Sequence, residues 1–294
     1  TPSYLSDLVS RTAGVASIKP YYMYVMDAFS ARLGVNVSHS WYDGGKTHVF
    51  PDVKLAITPA RQFSIGLHLY GGDSQLNSLS SLFAHSHYLN PSLIYAPSWQ
   101  KWFGDVNVVI GPFSGATIEL WGGMGKAGNW AMPSLIGTDE ALRGAYYGMD
   151  FKSTHYGMAF SYKYRDMASL RLSYEGAPQG IDKGYTMWSD RAKSVFNAQL
   201  TVSPISDICL GYELRSGRAI YEVGSDSDDI FQGTYYTLHT IGNVNSLNLG
   251  ATYRITPQFN VWANVENLLN SKWEAVYGIP AKGVTGLVGI GYKF

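Results

Sequence analysis

Three sets of side chains in this sequence have types and spacings that suit chemistry. His39-Ser40 and His85-Ser86-His87 offer the imidazole and hydroxyl that a hydrolase brings together at one rim. Asp226, Asp228 and Asp229 offer carboxylates to a divalent cation. The largest set is a double row of charges, with Arg32, Lys54, Lys163, Arg171, Arg191, Lys193, Arg215, Arg254 and Lys293 against Asp52, Asp105, Glu119, Glu175, Asp207, Glu213 and Glu266. The first two sets have plainer readings. His39 falls on the apolar phase of its segment, His85 and His87 sit in an irregular stretch, and an Asp run between Ser and Gly residues is a solvated loop. No catalytic residue, metal site or cofactor is therefore expected, and the chain is read as a non-enzyme. The charged set is different, because each member alternates with apolar neighbours.

Alternation of that kind needs strands, whose successive side chains point to opposite faces. Residues 244–255 place Leu247, Leu249, Ala251, Tyr253 and Ile255 on one side and Asn248, Gly250, Thr252 and Arg254 on the other. After Thr256-Pro257-Gln258 the pattern resumes through Phe259, Val261, Ala263 and Val265, and it returns in Val288, Ile290, Tyr292 and Phe294. The same template recurs upstream, for about twelve strands in all. Short breaks such as Thr58-Pro59, Gly111-Pro112, Ser203-Pro204 and Thr256-Pro257 alternate with long ones at 71–104, 122–143, 176–190 and 216–243. Proline fixes φ and lacks a donor, so it suits these turns and not a central strand.

About ten tilted residues cross a bilayer as a strand, and tight turns on one side with long loops on the other is how outer-membrane barrels are built. The expected fold is all-β, a transmembrane antiparallel β-barrel of about 12–14 strands in the outer membrane of a Gram-negative bacterium. Closure argues for an even number, since an open edge leaves orphan backbone groups in lipid. Residues 29–294 form the barrel in this reading, and residues 1–28 add strands or a small plug. A start at Thr1, without Met or an apolar leader, suggests processing after export or trimming. An apolar face that changes phase between Phe151 and Tyr156 suggests a bulge near 152–154 or an extra short strand.

Composition agrees. Charged residues are 15% of 294, 22 basic and 22 acidic, where a soluble domain carries about 25%. Aromatics are 14%, with 22 Tyr, alongside 32 Gly, as rims with aromatic girdles require. No apolar run is long enough for a membrane helix. The balanced charge gives no sign of a nucleic-acid partner. One cysteine, Cys209, excludes an internal disulfide framework.

Asn267-Leu268-Leu269-Asn270-Ser271-Lys272-Trp273-Glu274, followed by Gly278, Pro280, Gly283 and Tyr292-Lys293-Phe294, resembles the C-terminal end of TonB-dependent outer-membrane receptors. Trp273 stands where that pattern has Tyr, and Lys282-Gly283-Val284 where it has Pro-Gly-Arg. The resemblance covers about the last 45 residues. It implies a receptor-like barrel, shortened and without a plug, closing on a terminal aromatic signal at Tyr292 and Phe294.

A charge facing lipid at mid-depth costs about 2–4 kcal/mol for Arg or Lys, so the charged rows line the lumen. They serve either as a ladder of ion pairs that stiffens the wall or as a constriction that selects solutes. Arg171, Arg191 and Lys193 are expected to form a basic stripe, with Glu175 and Glu213 in reach, and Arg215, Arg254 and Glu266 complete the candidate set. Large apolar side chains in the long connections, among them Trp99, Trp102 and Phe103, are expected to fold into the lumen or dock on a partner. Two functions follow: a pore or receptor for small polar solutes, or a non-conducting barrel subunit of a multi-protein outer-membrane complex. The partners are membrane lipid, including lipopolysaccharide, and other outer-membrane or periplasmic subunits.

Overall fold

The computed structural model describes residues 14–41, 45–75, 98–136, 143–176, 179–181, 192–203, 206–225, 234–276 and 278–293. Among them there is no helix. The strands are β1 (Val15–Ile18), β2 (Tyr21–Met26), β3 (Phe29–Ser40), β4 (Lys46–Ala60), β5 (Phe63–Gln75), β6 (Ser98–Phe113), β7 (Ala116–Ile136), β8 (Arg143–Tyr164), β9 (Ala168–Gly176) and β10 (Gln179–Ile181). They continue as β11 (Ser194–Val202), β12 (Ser206–Ser216), β13 (Arg218–Ser225), β14 (Thr234–Ile241), β15 (Val244–Arg254), β16 (Phe259–Glu266), β17 (Glu274–Val276), β18 (Ile279–Pro280) and β19 (Thr285–Tyr292).

All but β17 and β18 belong to one 17-stranded sheet. β1 and β2 both pair with β3 and form one rank, as do β9 and β10 on β8. Setting aside the β13–β14 hairpin as well leaves thirteen antiparallel ranks, within the expected span. The chain passes from each rank to the next, and β12 pairs directly with β15. Connections of two to four residues lie on one side of the wall, and those on the other run from 5 to 27 residues. The evenness expected from closure does not apply, because the outer ranks do not meet: among the described residues β2 pairs only with β3, and β19 only with β16. All six residues of β2 are exposed.

The two faces of the sheet differ in solvent. Leu33, Leu67, Val106, Ile118, Met158, Phe160, Leu200 and Val261 lie on one face and are exposed. Only Ala31, Phe50, Ala127, Ala159, Ala192, Ala219, Ile241 and Val244 are buried apolar residues among those described, which is no core for a chain this long. Exposed apolar surface on that scale belongs against a non-aqueous medium. Tyr156 and Tyr174 bound the band at the long-connection end, and Tyr162 and Tyr164 at the other, as interfacial girdles do.

Several strands outrun their apolar pattern. β7 continues to Ile136 and β8 begins at Arg143, where the alternation implied a loop over 122–143. Likewise β13 and β14 occupy part of 216–243. The ladder persists beyond the apolar band, where neither face has to be apolar and the oily-wet alternation of the sequence ends. The expected bulge at 152–154 is absent, since β8 keeps continuous register with β7 from Phe151 to Tyr162. The irregularity lies across the rung on β7, between Ala127 and Trp130, where Asn129 has φ +49°. The β13–β14 hairpin reaches four ranks away to β7, forming a short parallel bridge at Glu222–Leu135 and Val223–Ile136 on the edge not taken by β8.

The assignment of faces predicts an asymmetry. Leu172→Arg should cost about 2–4 kcal/mol in lipid, while Ser173→Arg, on the opposite face, should cost under about 1 kcal/mol. Reversible denaturant unfolding in liposomes measures both, and equal costs would mean that the faces are misassigned.

Candidate lumenal site

The polar face carries a ladder of pairs that only the strand register brings together. Arg32 on β3 donates to Asp52 on β4 at 2.8 Å, diagonally across the rung. His68 on β5 lies 3.8 Å from Asp52, and His155 on β8 lies 3.3 Å from Asp105 on β6. Arg171 on β9 reaches over β8 to Glu119 on β7 with two parallel contacts of 3.0 and 2.9 Å, and also donates to Ser161 at 3.0 Å. Ala159, paired with Glu119 and only 2% exposed, is small enough to lie beneath that bridge. The fork geometry of a guanidinium on a carboxylate makes this the most specific pair of the wall.

The other candidates fall as follows. Glu213 and Arg215 pair with each other along β12 at 2.5 Å. Arg254 pairs with Asp207, which also accepts from Ser203 at 2.5 Å. Glu175 and Glu266 make no ion pair among the described residues. Lys193 does not join Arg171: the rung of Arg171 is Gln199, six residues away or about 20 Å along the strand. Its stem instead covers Gly217 at the long-connection rim. The stripe expected from Arg171 and Lys193 is therefore not formed, because separation along the strand outweighs likeness of charge. Arg191 and Phe294 lie outside the described residues, as do His85, His87 and the Asp226–Asp229 run. Tyr292 ends β19, exposed on the outer rank. His39 contacts the Thr47 hydroxyl at 2.8 Å and packs against Trp41.

Alternation alone did not single out the aromatic side chains of the polar face. His48, Phe50 and Trp99 cluster near the long-connection rim, with ring centroids 4.2 to 6.0 Å apart. Below them His68 stacks on Tyr70 at 4.3 Å, and Tyr70 tiles beside Phe103 at 5.8 Å and 24°. Trp99 and Phe103 thus fold onto the inner wall, one of the two outcomes expected of the large apolar residues. Phe103 faces Gly125 and Trp121 faces Gly157 across their rungs. A Cβ at either glycine would meet ring atoms at 2.4 Å, so each ring lies over bare backbone. The available signal was an aromatic on the wet phase of a strand with glycine in the next one.

The rim above is pinned separately. Arg218, 4% exposed, donates to the carbonyls of Gly242, Glu274 and Ala275 at 3.3, 2.6 and 2.7 Å. Asn267 donates to the carbonyls of Ser271 and Lys282 at 3.1 and 3.2 Å, and its backbone donates to Asn248. These bonds tie the 267–284 connection to the base of the hairpin. On the far side Asp150 accepts from Lys101 at 2.5 Å and from the Asn129 amide at 3.1 Å, bracing the β7 irregularity. The Lys101 ammonium holds the Asp150 carboxyl below the usual carboxylate range.

Comparison with solved structures gives the fold. The chain matches the pyoverdine outer-membrane receptor FpvA of Pseudomonas aeruginosa PAO1 with a TM-score of 0.67 and 12% identity, over 96% of this chain and 42% of that one. It matches the copper transporter OprC at 0.66 and 11%, over 96% and 48%. It matches the iron transporter FrpB of Neisseria meningitidis at 0.66 and 10%, over 98% and 47%. The chain thus spans less than half the length of these receptors. No family model and no curated protein matches. At such identities the likeness shows the fold alone, a β-barrel wall like that of these outer-membrane receptors, as the C-terminal residues suggested.

Two predictions follow from the pairs. In a double-mutant cycle, Arg171→Ala and Glu119→Ala should each cost about 1 kcal/mol, the pair being part-exposed, and show coupling when combined. Additive losses would mean that the bridge is not made. For Asp150, a depressed native pKa means that its contribution is present above the usual carboxylate range and lost as pH falls through the native value. Amide-exchange protection of Asn129 should therefore drop in Asp150→Asn at pH 7, and the difference from the unmodified protein should vanish in acid. A difference that persists at low pH contradicts this.

Proposed function

We propose that this chain forms the wall of an outer-membrane receptor or pore for small polar solutes, with its inner face setting selectivity. The observation that carries the reading is the division of one sheet into an apolar outer face and an inner face of paired charges, amides and flat rings. A wall that only had to fill itself with side chains has no need of an exposed, charge-balanced inner surface. The solved neighbours are named for pyoverdine, copper and iron, cargoes too different for the shared architecture to select one.

Pairing narrows which charges act on a solute. Arg171, Arg215 and Arg254 are each held by a carboxylate, whereas Lys54, Glu175 and Glu266 make no ion pair among the described residues. Lys193 extends the candidate set at the rim. The test is reconstitution of the full protein in planar bilayers and solute-loaded liposomes. Glu175→Lys should shift ion selectivity toward anions, or alter uptake of a charged solute, at unchanged fold. A barrel that neither conducts nor binds or admits any solute, yet co-purifies with other envelope proteins, overturns the reading in favour of a non-conducting subunit.

A further inference from the structure

We propose that the inner wall between β4 and β8 is a binding track for a neutral oligosaccharide. This rests on the solute-wall reading above and names the class of solute. The argument begins with the glycines. A ring over Gly125 or Gly157 has one face against the backbone, so its opposite face is turned to the lumen. Phe103 and Trp121 are both half-buried, as such a geometry requires. Tyr70 extends the surface beside Phe103, and Phe50 and Trp99 continue it to the rim.

The rung of Phe103 and the rung of Trp121 are four residues apart on β6, about 13 Å at 3.3 Å per residue. Between them runs the rung that carries His68, Asp105 and His155. Beside Trp121 on its own rung lie Asn107 and, past Gly157, Glu175. The track is therefore flat apolar tiles flanked by carboxylates, an amide and imidazoles.

That combination discriminates between solute classes. A pyranose presents a patch of C–H bonds on its face, which a ring's negative π-face attracts, and hydroxyls around its edge, which donate and accept at once. An anionic solute needs surplus cations, but Arg32 and Arg171 are already committed to Asp52 and Glu119, and Lys54, on the rung of His68 and Asp105, is outnumbered by Asp105 and Glu175. A wholly aromatic solute leaves Asn107 and Glu175 unused and desolvated, at a cost. A neutral sugar uses both parts.

The experiment is isothermal titration of the full, detergent-folded protein with maltohexaose and cellohexaose, and with 2,3-dihydroxybenzoate as an aromatic anion. At least one hexasaccharide should bind saturably. Trp121→Ala should weaken it at least tenfold, Trp121→Phe should retain most of the affinity, and Glu175→Gln should weaken it several-fold. Heat-modifiable migration on gels checks that each variant is folded. The proposal fails if neither hexasaccharide binds, if dihydroxybenzoate binds in their place, or if Trp121→Ala binds as well as the unmodified protein. Failure here with the Glu175→Lys selectivity shift intact removes the sugar and leaves the solute wall standing. Loss of the selectivity shift removes both.

Discussion

Lipid offers the backbone no hydrogen bonds. Every N–H and C=O that crosses it must be satisfied by another strand, and an orphan group costs several kcal/mol. That constraint forces the antiparallel ladder, and the ladder forces side chains to alternate between lipid and lumen. The apolar band bounded by tyrosines and the charged inner face are thus one fact seen from two sides. The same constraint bears on the outer ranks. β2 and β19 each present an edge unpaired among the described residues, with exposed apolar side chains, Val288 81% and Ile290 72% exposed among them. Within a bilayer such edges persist only when other strands cover them.

How far the sequence could be read follows the solvent boundary. Where lipid meets one face and water the other, Leu170, Leu172 and Tyr174 against Ser169, Arg171 and Ser173 declare a strand without ambiguity. Above the lipid, β7 and β8 keep their ladder as far as Ile136 and Arg143, but no face there has to be apolar and the pattern lapses. The strands were therefore legible in their middles and illegible at their long-connection ends. The apparent phase change after Phe151 is the same effect, because the outward face no longer has to be apolar there.

The pairs were less legible than the strands, for a geometric reason. Alternation fixes which face a residue takes, but not its height relative to residues on neighbouring strands. Arg171 is joined to Glu119, 52 positions earlier, because β7, β8 and β9 are staggered so that both flank Ala159. Lys193, close to the expected stripe in pattern, stands about 20 Å along the strand. A single sequence states the charge inventory of the lumen, and the register decides who neutralises whom.

That difference separates charges from rings as determinants of selectivity. A charge on an aqueous wall attracts its opposite from the next rung, as at Arg32–Asp52 and Glu213–Arg215, and each such pair subtracts from the field that a solute meets. A flat ring has no partner that cancels it. Its inner face is spent on a glycine and its outer face stays available whatever the ionic strength. On a wall with 22 basic and 22 acidic residues in the whole chain, net charge is a weak discriminator. What distinguishes one stretch of the lumen from another is then where glycines let aromatic faces lie open, as at Phe103 and Trp121 between β6 and β8 and at Trp262 over Gly289.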